Sequence, residues 1–172
     1  MPFTSSSKLN ISLTSTGAVV ASTYTFSIAL SQPLSIVASI WLLLPSAIGF
    51  TNFNGGCSGS INSVAVNIAN CTYSLNGTTT ILMINFNTTT MITSGSIVSL
   101  IIAGLTNPRF AYTPFSCGIN TFYNASISTS LVEYNSTLKT VTYTTYDTLN
   151  LAISPTAFNV FSSISANITF KN

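Results

Sequence analysis

Apolar and polar residues alternate with a period of two along most of the chain. Leu9, Ile11 and Leu13 stand between polar neighbours, as do Tyr24, Phe26, Ile28 and Leu30, then Leu82, Ile84 and Phe86, then Ile119, Thr121, Tyr123, Ala125 and Ile127. Successive side chains of a strand point to opposite faces, so each set predicts a half-buried strand, and no sustained 3.6-residue period competes with it. Two stretches are apolar on both faces. Residues 97–105 (IVSLIIAGL) read as a strand buried on both sides. Residues 35–50 (SIVASIWLLLPSAIGF) read as a buried strand because β-branched and aromatic residues dominate. Pro45 ends that apolar run after about ten residues, short of the roughly twenty that a spanning helix needs. No membrane span is expected.

Turn signals punctuate the strands: Asn54-Gly55-Gly56, Asn76-Gly77, Ser94-Gly95 and Asn107-Pro108. Asn-Gly supplies positive φ at both central positions of a type I′ turn, so residues 71–82 are the clearest hairpin. A turn centred on Asn76-Gly77 pairs Leu75 with Thr78, Tyr73 with Thr80 and Cys71 with Leu82. Cys71, Tyr73, Leu82, Ile84 and Phe86 then share the core face, while Asn70 and Asn87 share the opposite face with Ile81 and Met83. Many short strands with such turns predict an all-β fold, an antiparallel immunoglobulin-like β-sandwich over residues 1–150.

Residues 151–172 form a separate C-terminal strand segment in this reading. Val160, Ile164, Ala166, Ile168 and Phe170 line one face of a strand running from Val160 to Phe170. Such a strand left as a free edge would recruit another chain through its unpaired N–H and C=O groups. It therefore either closes its own sandwich or completes a neighbour's by strand exchange, starting the next copy of a repeat. Leu9 to Leu13 is a second candidate assembly strand.

Charge changes the picture by its scarcity. The 172 residues carry four bases (Lys8, Arg109, Lys139, Lys171), two acids (Glu133, Asp147) and no His, 3% charged in all. Soluble domains usually carry about a quarter. Isolated bases at a net charge of +2 make no patch for a phosphate backbone, which argues against nucleic acid as a partner. Ser, Thr and Asn supply the polarity instead, and they form seven Asn-x-Ser/Thr sequons: Asn10, Asn70, Asn76, Asn87, Asn124, Asn135 and Asn167. Asn10, Asn87, Asn124 and Asn167 each alternate with apolar neighbours and so point away from the core face, where a glycan can be carried. Glycans would supply the hydration and steric repulsion that surface charge normally gives. The first residues, MPFTSSSKLN, contain no apolar signal-peptide core, so the sequons lead to the expectation of a mature or internal piece of a longer secreted chain.

Cys57, Cys71 and Cys117 complete the candidate chemistry. A Cys57–Cys71 disulfide would close a loop of about fifteen residues and contribute roughly 3 kcal/mol. Cys117 is left either buried and inert or open to an intermolecular bridge. Without His and without a Cys-x-x-Cys spacing, zinc is not expected. Glu133 and Asp147 make no tuned carboxylate pair, and neither a Ser nor a Cys117 nucleophile has a base, so no enzyme and no cofactor are expected.

The order TYTFSIALS (23–31), LLLPSAIGF (42–50), Cys57, Asn70-Cys71, ILMINF (81–86), GSIVSLIIAGLTNP (95–108) and FSCGINTFY (115–123) resembles repeated β-sandwich domains of secreted surface proteins of ciliates and other protists. The chain is also similar to subunits of glycosylated extracellular filaments. This resemblance implies an extracellular structural role, with the chain itself as partner in a homopolymer or tandem array, alongside other surface glycoproteins, and it brings no catalytic residues. The alternatives are an adhesin or carbohydrate-binding module using Trp41, Tyr112 or Tyr146, and an archaeal or bacterial pilin-like subunit. In the apolar strand that holds it, Trp41 is expected in the core. A Thr-rich ice-binding surface fits least, because TVTYTTYDT is too short an array.

Overall fold

The computed structural model describes residues 8–51, 53–109, 115–126 and 131–141, with the main chain alone at residues 8, 115, 116 and 133–141. Ten strands occupy them: β1 (Lys8–Leu13), β2 (Ala21–Ala29), β3 (Ser39–Pro45), β4 (Cys57–Ile61), β5 (Val64–Val66), β6 (Ile68–Asn76), β7 (Thr79–Phe86), β8 (Ile97–Thr106), β9 (Phe115–Phe122) and β10 (Leu131–Val141). They form two five-stranded sheets, ordered β1-β2-β8-β4-β5 and β10-β9-β3-β7-β6. Every pairing is antiparallel. The neighbours β1-β2-β8 and β10-β9-β3 follow the strand order of an immunoglobulin-like sandwich. Among the described residues no helix is long and apolar enough to cross a membrane.

Period-two alternation builds the core as the sequence implies. Tyr24, Phe26 and Ile28 of β2 and Val98, Leu100 and Ile102 of β8 face Ile40, Leu42 and Leu44 of β3 and Leu82, Ile84 and Phe86 of β7, and all of them are buried. Each such side chain removed from water contributes on the order of 1.5–3 kcal/mol. Leu9 of β1 is buried beside them, and Ile11 and Leu13 pack against the cluster.

Three expectations need correction. In β8, Val98, Leu100 and Ile102 are buried but Ile97 and Ile101 are exposed, because a sandwich covers only one face of each sheet. The β6–β7 hairpin is shifted by two residues from the expected register: Asn76 pairs with Thr79, Tyr73 with Leu82 and Cys71 with Ile84. The central residues are therefore Gly77 and Thr78, and only Gly77 has positive φ, the arrangement of a type II′ turn, which needs Gly at the first central position. A shift of two preserves the face of every side chain. The third correction concerns Tyr73, which is half exposed, its ring stacked on Phe50 at 4.5 Å and set edge-on to Phe53 at 5.7 Å.

The strands fix two distinct ends. β1 begins at the entry end, beside loops 30–38, 87–96 and the turn at Asn62-Ser63. β10 finishes at the exit end, beside loops 14–20 and 46–56 and the Gly77-Thr78 turn.

Candidate functional site

The sequons spread over the surface rather than gathering at one place. Asn10 on β1, Asn70 and Asn76 on β6, and Asn87 after β7 are exposed. Asn124 lies beyond β9 in a bend and is half buried. Its Oδ1 accepts the Ser126 N–H at 2.9 Å, which closes an Asx turn instead of projecting from a strand. Asn135 pairs with Ile119 through the β10–β9 ladder. Asn167, the Val160 to Phe170 face with Ile164, Ala166 and Ile168, and Tyr112, Tyr146 and Asp147 lie outside the described residues.

Cys57 and Cys71 form the disulfide. It ties β4 of one sheet to β6 of the other, a link between layers that no ladder hydrogen bond can provide. Cys117 lies on the core face of β9, 1% exposed, and burial pushes its thiol up to about 12. A thiol so placed stays protonated at neutral pH and out of reach of a partner, which removes the intermolecular bridge weighed for it.

Trp41 departs from expectation. It sits half buried on the outer face of β3, not in the core, with its ring 4.3 Å from that of Phe122. It pairs with Met83 on β7 and Asn120 on β9, while Leu43 pairs with Ile81. Trp41, Leu43, Ile81 and Met83 therefore form an apolar strip along the middle of this outer face. The other sheet carries Thr25, Ser27, Ser58, Ser60 and Ser99 in the corresponding place, with the exposed Ile101 between Thr25 and Ser58.

Among the described residues, most of the exposed large apolar side chains lie elsewhere, at the two ends. Val19 and Val20 form the tip of the 14–20 loop at the exit end, 51% and 42% exposed. Ile36, Val37, Met91 and Tyr123 lie in the entry-end loops, and Val64 and Ile97 begin β5 and β8 there. Tyr73 and Leu75 lie on the half of β6 that runs to the exit end, which leaves Ile101 in mid-sheet.

The exit-end tip is held under strain. Val19 adopts φ 57°, a conformation ordinarily left to Gly or Asn, and for a β-branched residue it costs on the order of 1–3 kcal/mol. Its surroundings fix it. Asn107, 2% exposed, donates through Nδ2 to the Ser15 carbonyl at 2.9 Å and the Gly17 carbonyl at 2.7 Å. The Tyr24 hydroxyl donates to Asn107 Oδ1 at 2.7 Å, the Asn107 N–H reaches the Val20 carbonyl at 3.0 Å, and the Val19 N–H reaches the Pro108 carbonyl at 3.4 Å. Asn107 thus clamps both arms of the loop to the end of β8, one through its side-chain amide and the other through its main-chain N–H. The sequence marks Asn107-Pro108 only as a turn, since nothing in one dipeptide reveals a partner 92 residues away.

The entry end carries a concavity instead. A groove of about 410 Å³ opens between β5 and residues 87–93, with Ile61, Val64, Val66, Met91 and Ile92 giving apolar surface and Asn62, Asn67, Asn87, Thr89 and Thr90 among its polar lining. That is the size range of small-ligand sites. Among the described residues no charged side chain lines it. The β4–β5 hairpin that forms one wall turns through Asn62 and Ser63, at φ 48° and 68°, the two positive angles of a type I′ turn. Asn62 suits that geometry, a signal that the polar run between the cysteines concealed.

No protein-family model and no curated protein matches the sequence. Among solved structures the chain is similar to the pilus backbone RrgB of Streptococcus pneumoniae, at 10% identity and a TM-score of 0.39. The likeness covers 69% of this chain and 52% of that one, so the chain spans about half the length of the pilus protein. None of these comparisons supports a protist origin.

Proposed function

We propose that the protein is a structural subunit of an extracellular filament in which copies stack end to end. The observation that carries this reading is the concentration of exposed apolar side chains on two non-equivalent ends, Val19 and Val20 at one and Ile36, Val37, Val64 and Met91 at the other. Contacts between unlike surfaces that do not close into a ring generate a filament. A sheet of five strands about 4.8 Å apart, two layers deep at about 10 Å, presents an end of roughly 500 Å², or about 1,000 Å² for two ends in contact. That is near the floor for a specific interface of about 1,000 Å². A strand donated from residues 151–172 to the next copy would supply the missing area and is the finer form of the proposal. Glycans on the exposed Asn10 and Asn70 would keep the uncharged flanks hydrated, while any on Asn76 and Asn87, at the exit and entry ends, would have to lie clear of the stacking contact.

A second reading is supported by Trp41. Its ring, tilted at 42° against that of Phe122 and beside Asn120 on an outer sheet face, offers an apolar platform with an amide at its edge, suited to a neutral sugar in an adhesin.

Electron microscopy of native material separates the two. The filament reading expects threads, with an axial rise near 35–40 Å if strands of about ten residues lie along the axis. Dispersed monomers that bind neutral glycan saturably, and lose that binding in Trp41→Ala, would favour the adhesin. A mass decrease on glycosidase treatment is expected if the sequons are used; an unchanged mass would remove the glycan part alone.

A further inference from the structure

Resting on the glycan part of that reading, we infer that the sugar chain carried by Asn70 folds back over the outer face of β7 and β3 and stacks on Trp41. The occupant of this seat is the chain's own glycan, which covers the apolar strip and takes the platform that the adhesin reading offers to a foreign sugar.

The register sets the geometry. On the outer face Asn70 stands beside Asn85, and the next row runs Thr72, Met83, Trp41, Asn120. Trp41 is thus two strands across from Asn70 and two residues along, about 12 Å at a strand spacing of about 4.8 Å and a rise of about 3.4 Å per residue. Asn70 opens an Asn-x-Thr sequon with Thr72, and both are exposed on β6, the last strand of its sheet. A glycan leaving Asn70 on this face has the strip of Met83, Ile81, Trp41 and Leu43 on its inner side. Asn76, the other sequon on this face of β6, is two rows from Trp41 where Asn70 is one.

The chemistry of the strip suits a neutral sugar. A pyranose ring has an apolar face of C–H groups that can lie on an indole, and hydroxyls at its rim that need polar partners. Asn85 and Asn120, half buried on the same face, stand beside Met83 and Trp41 and supply amides. No described side chain on this face is charged, so the sugar displaces no hydrated ion. Tethering supplies the rest. A lone sugar binds an exposed ring weakly, but a short flexible link gives an effective concentration of roughly mM, at which a contact with a Kd of that order is about half formed.

Trp41 is the single Trp of the chain, so its fluorescence reports on the seat. The unsubstituted chain, Asn70→Gln and Asn10→Gln are produced in the native host, and the mass of each sequon peptide is measured. Asn10, beside Ser27 on the other sheet, is the control. Acrylamide quenching of Trp41 is expected to rise about twofold or more in Asn70→Gln, as loss of a half-formed cover implies, and to stay unchanged in Asn10→Gln. Thr72→Ala removes the same sequon and should match Asn70→Gln, while Thr72→Ser keeps it and should match the unsubstituted chain; this pair carries the test if Asn70→Gln does not fold. A glycan present on Asn70 whose loss leaves quenching unchanged overturns the seat and leaves the glycan reading standing. An Asn70 peptide of unmodified mass overturns the glycan at this position, and the seat with it.

Discussion

Each end of the sandwich carries long loops and a two-residue turn, and the two ends hold them differently. At the exit end, loops 14–20 and 46–56 are long and are packed down. Asn107 clamps the first, while the second is held by reciprocal hydrogen bonds between Gly49 and Thr106, each 2.9 Å, and by Phe50, which packs with Phe53 and Tyr73. At the entry end, loops 30–38 and 87–96 are held to each other by main-chain bonds, the pair between Leu34 and Ile92 at 2.8 and 2.9 Å and the Gly95 N–H to the Leu30 carbonyl at 2.8 Å, beside the two-residue Asn62-Ser63 turn. The exit end presents the exposed Val19 and Val20, and the entry end a groove between β5 and loop 87–96. The difference teaches that strain sits where bonding is densest: Val19 is tolerable because its neighbours cannot yield.

The largest expected effect comes from loosening the exit-end loop at its far anchor. Cys57 follows loop 46–56 directly and ties it to β6. Replacing both cysteines, Cys57→Ser with Cys71→Ser, is expected to lower stability by about 3 kcal/mol, the loop-closure value for this spacing. Denaturant unfolding monitored by Trp41 fluorescence measures it. A loss below about 1 kcal/mol would mean that the aromatic packing of Phe50, Phe53 and Tyr73 holds the loop without the crosslink.

Asn107→Ala strikes the clamp itself. It leaves the Gly17 carbonyl and the Tyr24 hydroxyl without the partners described here, and buried polar groups so stranded cost about 1–3 kcal/mol each, so a loss of about 2–3 kcal/mol is expected. Tyr24→Phe removes one bond and should cost about 1 kcal/mol. Hydrogen exchange should show faster exchange at Val19 than at Leu34 in both variants. Equal change at the two ends would contradict the local role of the clamp.

The entry end offers the converse. Thr121, fully buried near the entry end of β9, has no hydrogen-bond partner for Oγ1 among the described residues. Thr121→Val keeps the branched shape and removes the unsatisfied hydroxyl, so a gain of about 1 kcal/mol is expected in the same unfolding measurement. A loss would show that the hydroxyl is bonded.

How much of this contrast can be read in the sequence follows from the range of each interaction. Alternation placed Tyr24, Phe26, Ile28, Leu82, Ile84 and Phe86 in the core, because the period of a strand is local and every residue reports on it. The disulfide was legible from composition and spacing. The face of Trp41 was not, since an apolar strand such as β3 reads alike from either side and only its pairing with Met83 and Asn120 decides. The hairpin register failed by two residues because Asn-Gly and Gly-Thr overlap at positions 76–78, and the sequence favours both. The clamp and the groove were hidden for a common reason: Asn107 reaches Ser15, and residues 61–67 meet 87–93, across separations that no short pattern records.

The smallest expected effect on stability is the most informative about the two ends. Val19→Gly relieves a left-handed conformation that costs about 1–2 kcal/mol in an L-residue. Gly also enlarges the unfolded ensemble, which returns about 0.4–1 kcal/mol of that gain. The net expectation is a rise of about 0.5 kcal/mol, seen as a small upward shift of the denaturant midpoint with unchanged slope. Assembly should move the other way, because the tip loses an exposed apolar side chain and its fixed shape together. A variant more stable as a monomer yet slower to polymerise would separate folding from assembly at one residue. Loss of more than about 1 kcal/mol would instead show that the Val19 side chain supports the fold, and the strain at φ 57° would then be a consequence of packing and not a device for docking.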